Sequence, residues 1–440
     1  MANECLLVEH SPALKGTVSL EGAKNAVLVS MASTILAPGV SVLTNVPLSS
    51  DVFQMIQILE DLGASVAFDV GAKQLTIDTA NVEPRAISPE IMRKMRASIL
   101  VMGPLLARFA RVQVALPGGC LLGARPIDFH LRAFAKMGAR IEVAGEFLCA
   151  QATRLTAQTF VLEYPSVGAT ENIMMAAVLT PGVTRILNAA IEPEVLNLIE
   201  ILEKMGASVK IEVPGTVVIE GVTALQPITH AIIPDRLEAG TLLLAAAVTQ
   251  GEVTVLGAPV QYLDVFFEKL VEMGHSVTVE GNDVTLRATA MPKAVSFRTM
   301  PYPGFPTDLQ APMMVAQTIA CGTSVIYETV FENRLVHVRE LQKMGAQITT
   351  DGPLIATVKG VEHLYGAQVI APDLRASAAL VLAGLVAQGQ TVVSGIHHFR
   401  RGYAGLDEKL RALGAKISVV NEDQIIRPAS SCCSTQSTTY

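Results

Sequence analysis

The chain has 440 residues, half of them hydrophobic, and a formal net charge of −7. A chain of this length exceeds one ordinary core and predicts two or three domains, while the acidic balance argues against general nucleic-acid binding, which needs a basic face. The six cysteines form no CxxC pair and no His/Cys cluster at zinc-ligand spacing, so neither a disulfide scaffold nor a metal site is expected.

The N-terminal Met-Ala-Asn-Glu-Cys carries an acidic residue early and no basic start ahead of an apolar run. No secretory signal is therefore expected, and the cytoplasm is the default location. Glu21-Gly22-Ala23-Lys24-Asn25 then interrupts a strand-like run before an Ala/Val/Leu-rich helix, and Ile233-Pro234-Asp235-Arg236 does the same at mid-chain. Both read as crossings between lobes. The longest uncharged stretch, between Arg375 and Arg400, is broken by Gly384, Gln388, Gly389, Gln390 and Ser394, so no membrane span is expected there.

Between these points the chain repeats. A helical stretch ending in Leu/Met-Gly-Ala or a close variant, followed by a strand-like run, places glycines at Gly63, Gly138, Gly206, Gly274, Gly345 and Gly414, which are 75, 68, 68, 71 and 69 residues apart. The pattern predicts six helices, each closed by a C′ glycine and followed by an alternating strand. Gly39, Gly182, Gly251, Gly322 and Gly389 form a second echo, each after an apolar helical run and before a β-branched strand. Six small α/β units divide three and three into two lobes on domain-size grounds. The expected boundaries are 23–234 for one lobe and 1–22 plus 235–426 for the other, with a Ser/Thr-rich, disordered tail over 427–440.

Chemistry concentrates in a few segments. Pro117-Gly118-Gly119-Cys120-Leu121-Leu122-Gly123-Ala124-Arg125-Pro126-Ile127-Asp128 sets one cysteine among glycines that let a loop fold tightly or move. The nearby Arg125 guanidinium would favour a thiolate and could also grip a phosphate or carboxylate. A small hydrophobe in a turn is the plainer alternative for Cys120. Lys24-Asn25, Arg93-Lys94-Met95-Arg96, Arg334, Arg375 and Arg400-Arg401 are predicted at or beside helix termini. Singly each reads as a solvated cation; jointly they suggest a polyanion pocket. Asp308, after Pro303-Gly304-Phe305-Pro306-Thr307, fits either a general base or the N-cap of a helix starting near Leu309. The histidines, His130 and His397-His398 among them, show no ligand spacing.

Gly-Ala-Lys24-Asn25, Lys94-Met95-Arg96-Ala-Ser, Pro-Gly-Gly-Cys120 through Asp128, Pro165-Ser166-Val167-Gly168-Ala169-Thr170, Phe-Pro-Thr307-Asp308, Phe-Glu332-Asn-Arg334, Asp373-Leu-Arg375-Ala-Ser and Arg401-Gly-Tyr occur in this order. Together they resemble the UDP-N-acetylglucosamine 1-carboxyvinyltransferases of the enolpyruvyl transferase superfamily. The resemblance implies an inside-out α/β barrel fold of two lobes, each with three βαβαββ units, and an active site between them. It implies transfer of an enolpyruvyl group from phosphoenolpyruvate to the 3′-hydroxyl of UDP-N-acetylglucosamine, the first committed step of peptidoglycan synthesis, with no metal or organic cofactor.

By the same resemblance Cys120 would protonate the donor or hold it covalently, Lys24, Arg125 and Arg401 would clamp it, and Asp308 would take the sugar hydroxyl proton. The nucleotide would lie along Arg125, Pro126, Ile127, Asp128 and Phe129, with its diphosphate near Tyr164, Pro165, Ser166 and Val167. Asn25, Arg96 and Val330 would add contacts, and Arg334 and Arg375 would complete the cationic pocket. This chain departs from some relatives at Ser50 and Tyr164, where those carry lysine, at Tyr302 in place of histidine, and at Arg400 in place of an acid. A diphosphate held by fewer cations is the expectation. Two alternatives stand beside this one: the sister reaction on shikimate 3-phosphate, which does not use the Gly-Gly-Cys loop, and a non-catalytic paralogue that binds sugar nucleotide.

Overall fold

A computed structural model describes residues 4–115, 127–212 and 215–421. Cys120, Arg125, Pro126 and the tail from Arg427 to Tyr440 lie outside the described residues, as do the side chains of Arg93, Lys94 and Arg96. Each of the six repeat glycines has a positive φ, between 89° for Gly345 and 105° for Gly414. Each also donates its N–H to a carbonyl three residues back, while the following residue reaches five back, as in Gly63 to Glu60 and Ala64 to Leu59. That is the paired C-terminal closure in which only glycine escapes a Cβ penalty. A strand follows each closure, Ser65–Asp69 after Gly63 and Lys416–Asn421 after Gly414 being the first and last. Of the second set, Gly39, Gly182, Gly322 and Gly389 have positive φ, but Gly251 is needed for space: a Cβ there would meet the Leu14 carbonyl oxygen at 2.1 Å.

The strands form six separate sheets among the described residues, five with four strands and one with three. One order recurs. The strand after the second glycine pairs antiparallel with the inner, second strand of a hairpin and parallel with a short edge strand, as Val40–Thr44 does with Gln74–Asp78 and with Thr229–Ala231. The last sheet is completed from the other end of the chain: Glu4–Glu9 inserts between Gln390–Ser394 and Lys416–Asn421, Leu6 facing Val393 on one side and Val419 on the other. The α/β class expected from the repeats is present. The sheets stay open, with no closed β-barrel among the described residues, because four strands of about five residues are too few to close one.

Helices cover one face of these sheets and supply two hydrophobic cores. One gathers buried residues from Ala23 to Ile232. The other gathers Leu6, Val8, Leu14 and Val18 with residues from Leu237 to Ile417. Helices Arg236–Val248, Gln310–Thr318 and Leu374–Val386 pack on one another in the second core. Nearly every residue of the three is buried, and they are mostly apolar on all faces, with Arg236, Glu238, Gln310, Gln317 and Arg375 among the buried polar exceptions. Among the described residues no helix is long and apolar enough to cross a membrane.

Candidate active site

The two cores face a cavity of about 530 Å³. The first residues of several buried helices line it: Lys24 and Asn25 of helix Lys24–Ser33, Val167 and Gly168 of Val167–Ala177, Arg236 and Leu237 of Arg236–Val248, and Leu374 and Arg375 of Leu374–Val386. Helix N-termini present unpaired N–H groups and a partial positive charge, so their convergence favours an anionic occupant. Ser166, Asp235 and Asp373 cap three of these helices through their side chains, which holds the entry backbone in place.

Two carboxylates organise the cations. Asp308 accepts from Arg334 Nη2 at 2.7 Å and from Arg375 Nη2 at 2.8 Å. Both guanidiniums are buried. Burial alone would raise the Asp308 carboxyl, but the charges of Arg375 and Arg334 outweigh it and hold the group well below the usual carboxylate range. Asp308 makes no helix-capping bond; the segment Thr307–Leu309 is a 3₁₀ turn and its carboxylate is spent on the two arginines. Nε of Arg334, and Nε and Nη1 of Arg375, are buried donors without a protein partner. Such donors suit an oxyanion entering the cavity.

Asp51 is the second hub. It binds Lys24 Nζ at 3.4 Å and Arg401 Nε at 3.0 Å, joining a helix of the first core to helix Ile396–Gly402 across a separation of 350 residues. Nothing in its neighbourhood, Ser50-Asp51-Val52, signals this. It sits in the first turn of helix Ser50–Asp61, and only the fold brings Lys24 and Arg401 to it.

The first-core wall is acidic. Glu171, Glu192 and Glu194 line the cavity beside Arg236, which Glu194 binds at 3.4 Å. Burial pushes Glu171 well above the usual range, with Glu194 and Glu192 adding to it, so Glu171 favours its neutral form. Glu192 also rises through burial, although the Tyr302 N–H donates to it at 3.3 Å. Tyr164 is pushed up to about 12 by burial and by Glu192 and Glu328, and its buried hydroxyl has no protein partner. The expected polyanion pocket is thus one whose five cations are each already ion-paired, with six carboxylates lining it among the described residues.

Of the residues singled out in the sequence, Lys24, Asn25, Phe129, Tyr164, Pro165, Ser166, Val167, Asp308, Val330, Arg334, Arg375 and Arg401 line this cavity. Ile127 and Asp128 do not; Asp128 pairs with Arg132 at 2.7 Å on its own helix. Among the departures from relatives, Tyr164 and Tyr302 line the cavity. Ser50 and Arg400 instead line a second cleft, and Arg400 pairs with Glu4 at 2.9 Å. Sequence reasoning passed over Asp51, Glu171, Glu192 and Glu194, all from unremarkable helix or loop contexts.

Residues 8–426 match the EPSP synthase (3-phosphoshikimate 1-carboxyvinyltransferase) family. The chain belongs to that family. Within the EPSP synthase family it is 49% identical to UDP-N-acetylglucosamine 1-carboxyvinyltransferase 1 of Caldanaerobacter subterraneus, over 93% of this chain and 98% of the relative. It is 48% identical to UDP-N-acetylglucosamine 1-carboxyvinyltransferase 2 of Carboxydothermus hydrogenoformans, over 95% of this chain and all of the relative. The motif resemblance therefore holds for whole chains. Among solved structures, the enolpyruvyl transferase NikO of Streptomyces tendae is similar with a TM-score of 0.87 at 24% identity, covering 96% of this chain and 100% of that one. EPSP synthase of Acinetobacter baumannii is similar with a TM-score of 0.74 at 19% identity, covering 95% and 100%. At these identities the likeness is one of fold, and the fold is that of the enolpyruvyl transferases.

Proposed function

We propose that the chain transfers the enolpyruvyl group of phosphoenolpyruvate to the 3′-hydroxyl of UDP-N-acetylglucosamine, releasing phosphate, in the cytoplasmic steps of peptidoglycan synthesis. The observation that carries this is the Asp308–Arg334–Arg375 group: a carboxylate bound to two buried guanidiniums that carry spare donors, all three residues lining a cavity of about 530 Å³. Relatives at 45–49% identity bearing that enzyme's name support it.

In this reading Cys120 gives its proton to the methylene carbon of phosphoenolpyruvate, and the sugar 3′-oxygen bonds to the adjacent carbon as its proton passes to Asp308. The resulting tetrahedral intermediate loses phosphate, and the new methyl group gives a proton back to the Cys120 thiolate as the double bond is restored. Lys24, Arg125 and Arg401 take the donor's phosphate and carboxylate and stabilise the cationic centre. Arg125 to Phe129 hold the nucleotide, Tyr164 to Val167 its diphosphate, and Asn25, Arg96 and Val330 the remaining contacts. Asp308 paired with two guanidiniums is a weak base. An incoming anion that draws Arg334 and Arg375 away raises its basicity at the moment the proton must move.

The six sheets are read as six βαβαββ units, three in a lobe over 23–234 and three in a lobe over 1–22 and 235–426, which close over the substrates. The deciding experiment is phosphate release from phosphoenolpyruvate with UDP-N-acetylglucosamine, with shikimate 3-phosphate, and with neither, comparing wild type and Cys120→Ala. Sugar-dependent release that collapses in the variant is the expected result. Release with shikimate 3-phosphate alone transfers the assignment to the sister reaction, and nucleotide binding without release assigns a non-catalytic role.

A further inference from the structure

Two segments connect the cores, and they run side by side. Gly22 and Pro234 form an antiparallel bridge; the Ala23 N–H donates to the Ile233 carbonyl at 2.7 Å, and the Asp235 N–H to the Glu21 carbonyl at 2.9 Å. A Cβ on Gly22 would meet the Asn45 carbonyl oxygen at 1.9 Å, so the crossing admits only glycine there. Against it lies Glu238 of helix Arg236–Val248, 4% exposed. One of its oxygens accepts the Glu21 backbone N–H at 3.0 Å, and the other accepts the Lys409 ammonium at 2.6 Å. Lys409 belongs to helix Leu406–Ala412. On the opposite side, the Glu21 carboxylate binds Lys73 of the first core at 2.8 Å.

A buried ion pair is weak evidence for stability, because well-packed apolar side chains serve as well and a neutral acceptor could satisfy the Glu21 N–H. What is particular here is location. One buried carboxylate ties both crossing strands to the last helix of the second core, three residues before Lys24 enters the cavity. We propose that Glu238, held by Lys409, is the pin of this crossing and a positioning residue for Lys24. The proposal rests on the reading above, in which the two halves close over the donor and acceptor.

The charged groups facing Glu238 are few. Lys409 comes from helix Leu406–Ala412, Asp235 from the cap of its own helix, and Glu21 with Lys73 from the crossing. Helix Gln310–Thr318 brings no ionisable side chain, and Arg375 of helix Leu374–Val386 is bound to Asp308. Burial pushes the Glu238 carboxyl up to about 7, Lys409 and the Glu21 N–H pulling it down. Between the ordinary carboxylate range and that pH, the folded chain keeps a proton the unfolded chain has lost. Stability from this group therefore falls as pH rises through the window, and the charged pin is present above it.

Glu238→Gln keeps size and acceptor but removes the charge; Lys409→Met removes the partner. Backbone hydrogen exchange over residues 19–24, without substrates, and phosphate release at pH 5.5 and pH 8 test both. At pH 8 each variant is expected to exchange roughly threefold faster in this segment and to lose about tenfold in kcat/KM for phosphoenolpyruvate, as hinge changes do. At pH 5.5 Glu238→Gln and wild type are expected to differ less than at pH 8, because burial raises the Glu238 carboxyl. Unchanged exchange at pH 8, or a kcat/KM at pH 8 equal to wild type in both variants, overturns the proposal. Wild type without sugar-dependent phosphate release defeats the reaction reading instead, and the exchange comparison then decides the pin by itself.

Discussion

Asp51 and Asp308 each hold two cations with one carboxylate, yet they join different things. Asp308 binds Arg334 and Arg375, both from the second core, with short contacts of 2.7 and 2.8 Å, and its side chain is 23% exposed toward the cavity. Asp51 is 2% exposed and binds Lys24 of the first core and Arg401 of the second at 3.4 and 3.0 Å. One hub sets geometry within a half; the other spans the halves. In the proposed reaction the same side-chain chemistry would serve the chemical step in one place and, in the other, the alignment of the two cores.

The largest expected effect breaks the first hub. Asp308→Asn keeps the shape and removes the proposed base, so turnover should fall roughly 10²- to 10⁴-fold while calorimetry still registers nucleotide binding; turnover within tenfold of wild type would remove Asp308 from the proton transfer. Stability separates the hubs next. Arg375→Met leaves a carboxylate with half its buried partners and should cost about 3–5 kcal/mol of unfolding free energy. Arg401→Met, at a more exposed and longer contact, should cost clearly less. Equal losses in denaturant titrations would mean the two hubs are not different in kind.

Asp51→Asn is the smaller functional lesion. Losing a charged hydrogen-bonded partner worth about 1.5–3 kcal/mol corresponds to roughly 10- to 100-fold in kcat/KM for the donor, expressed in KM as well as kcat because Lys24 and Arg401 lose their shared anchor. A pure kcat effect would contradict its role as an anchor. The smallest change is at Tyr164. Its hydroxyl is buried without a protein partner, so Tyr164→Phe should leave stability unchanged or raise it by up to ~1 kcal/mol while weakening nucleotide affinity. A clear loss of stability would show that the hydroxyl is already satisfied in the unliganded protein.

Acid should leave the first hub intact longest. Because its two arginines hold the Asp308 carboxyl below the usual range, its stabilising contribution is fully present above the unfolded carboxylate pKa and is lost only as pH falls through the depressed folded value. The Arg375→Met variant should therefore unfold at a higher pH than wild type in an acid titration.

Much of the architecture was legible because it is written in local backbone rules. A glycine after a helix whose next residues alternate is a closure followed by a strand, and Gly63, Gly138, Gly206, Gly274, Gly345 and Gly414 all take the positive φ that reading requires. Gly251 looked the same in sequence but is there for close approach to Leu14, which no local pattern reveals. The cations were legible as a recurring class at or beside helix termini, but their number misled: the cavity carries six carboxylates against five cations among the described residues, and Glu171, Glu192 and Glu194 lie in unremarkable helix or loop contexts.

The sequence by itself determined the six helix closures and which side chains could perform the chemistry, since those follow from sterics and side-chain type over a few residues. Only the tertiary structure decided that Glu4–Glu9 completes the last sheet, that Asp308 pairs with Arg334 and Arg375 instead of capping a helix, and that Asp51 meets Arg401 350 residues away. Partners so distant along the chain are selected by packing of whole helices, and the energy of such contacts depends on burial and distance, which no local pattern encodes.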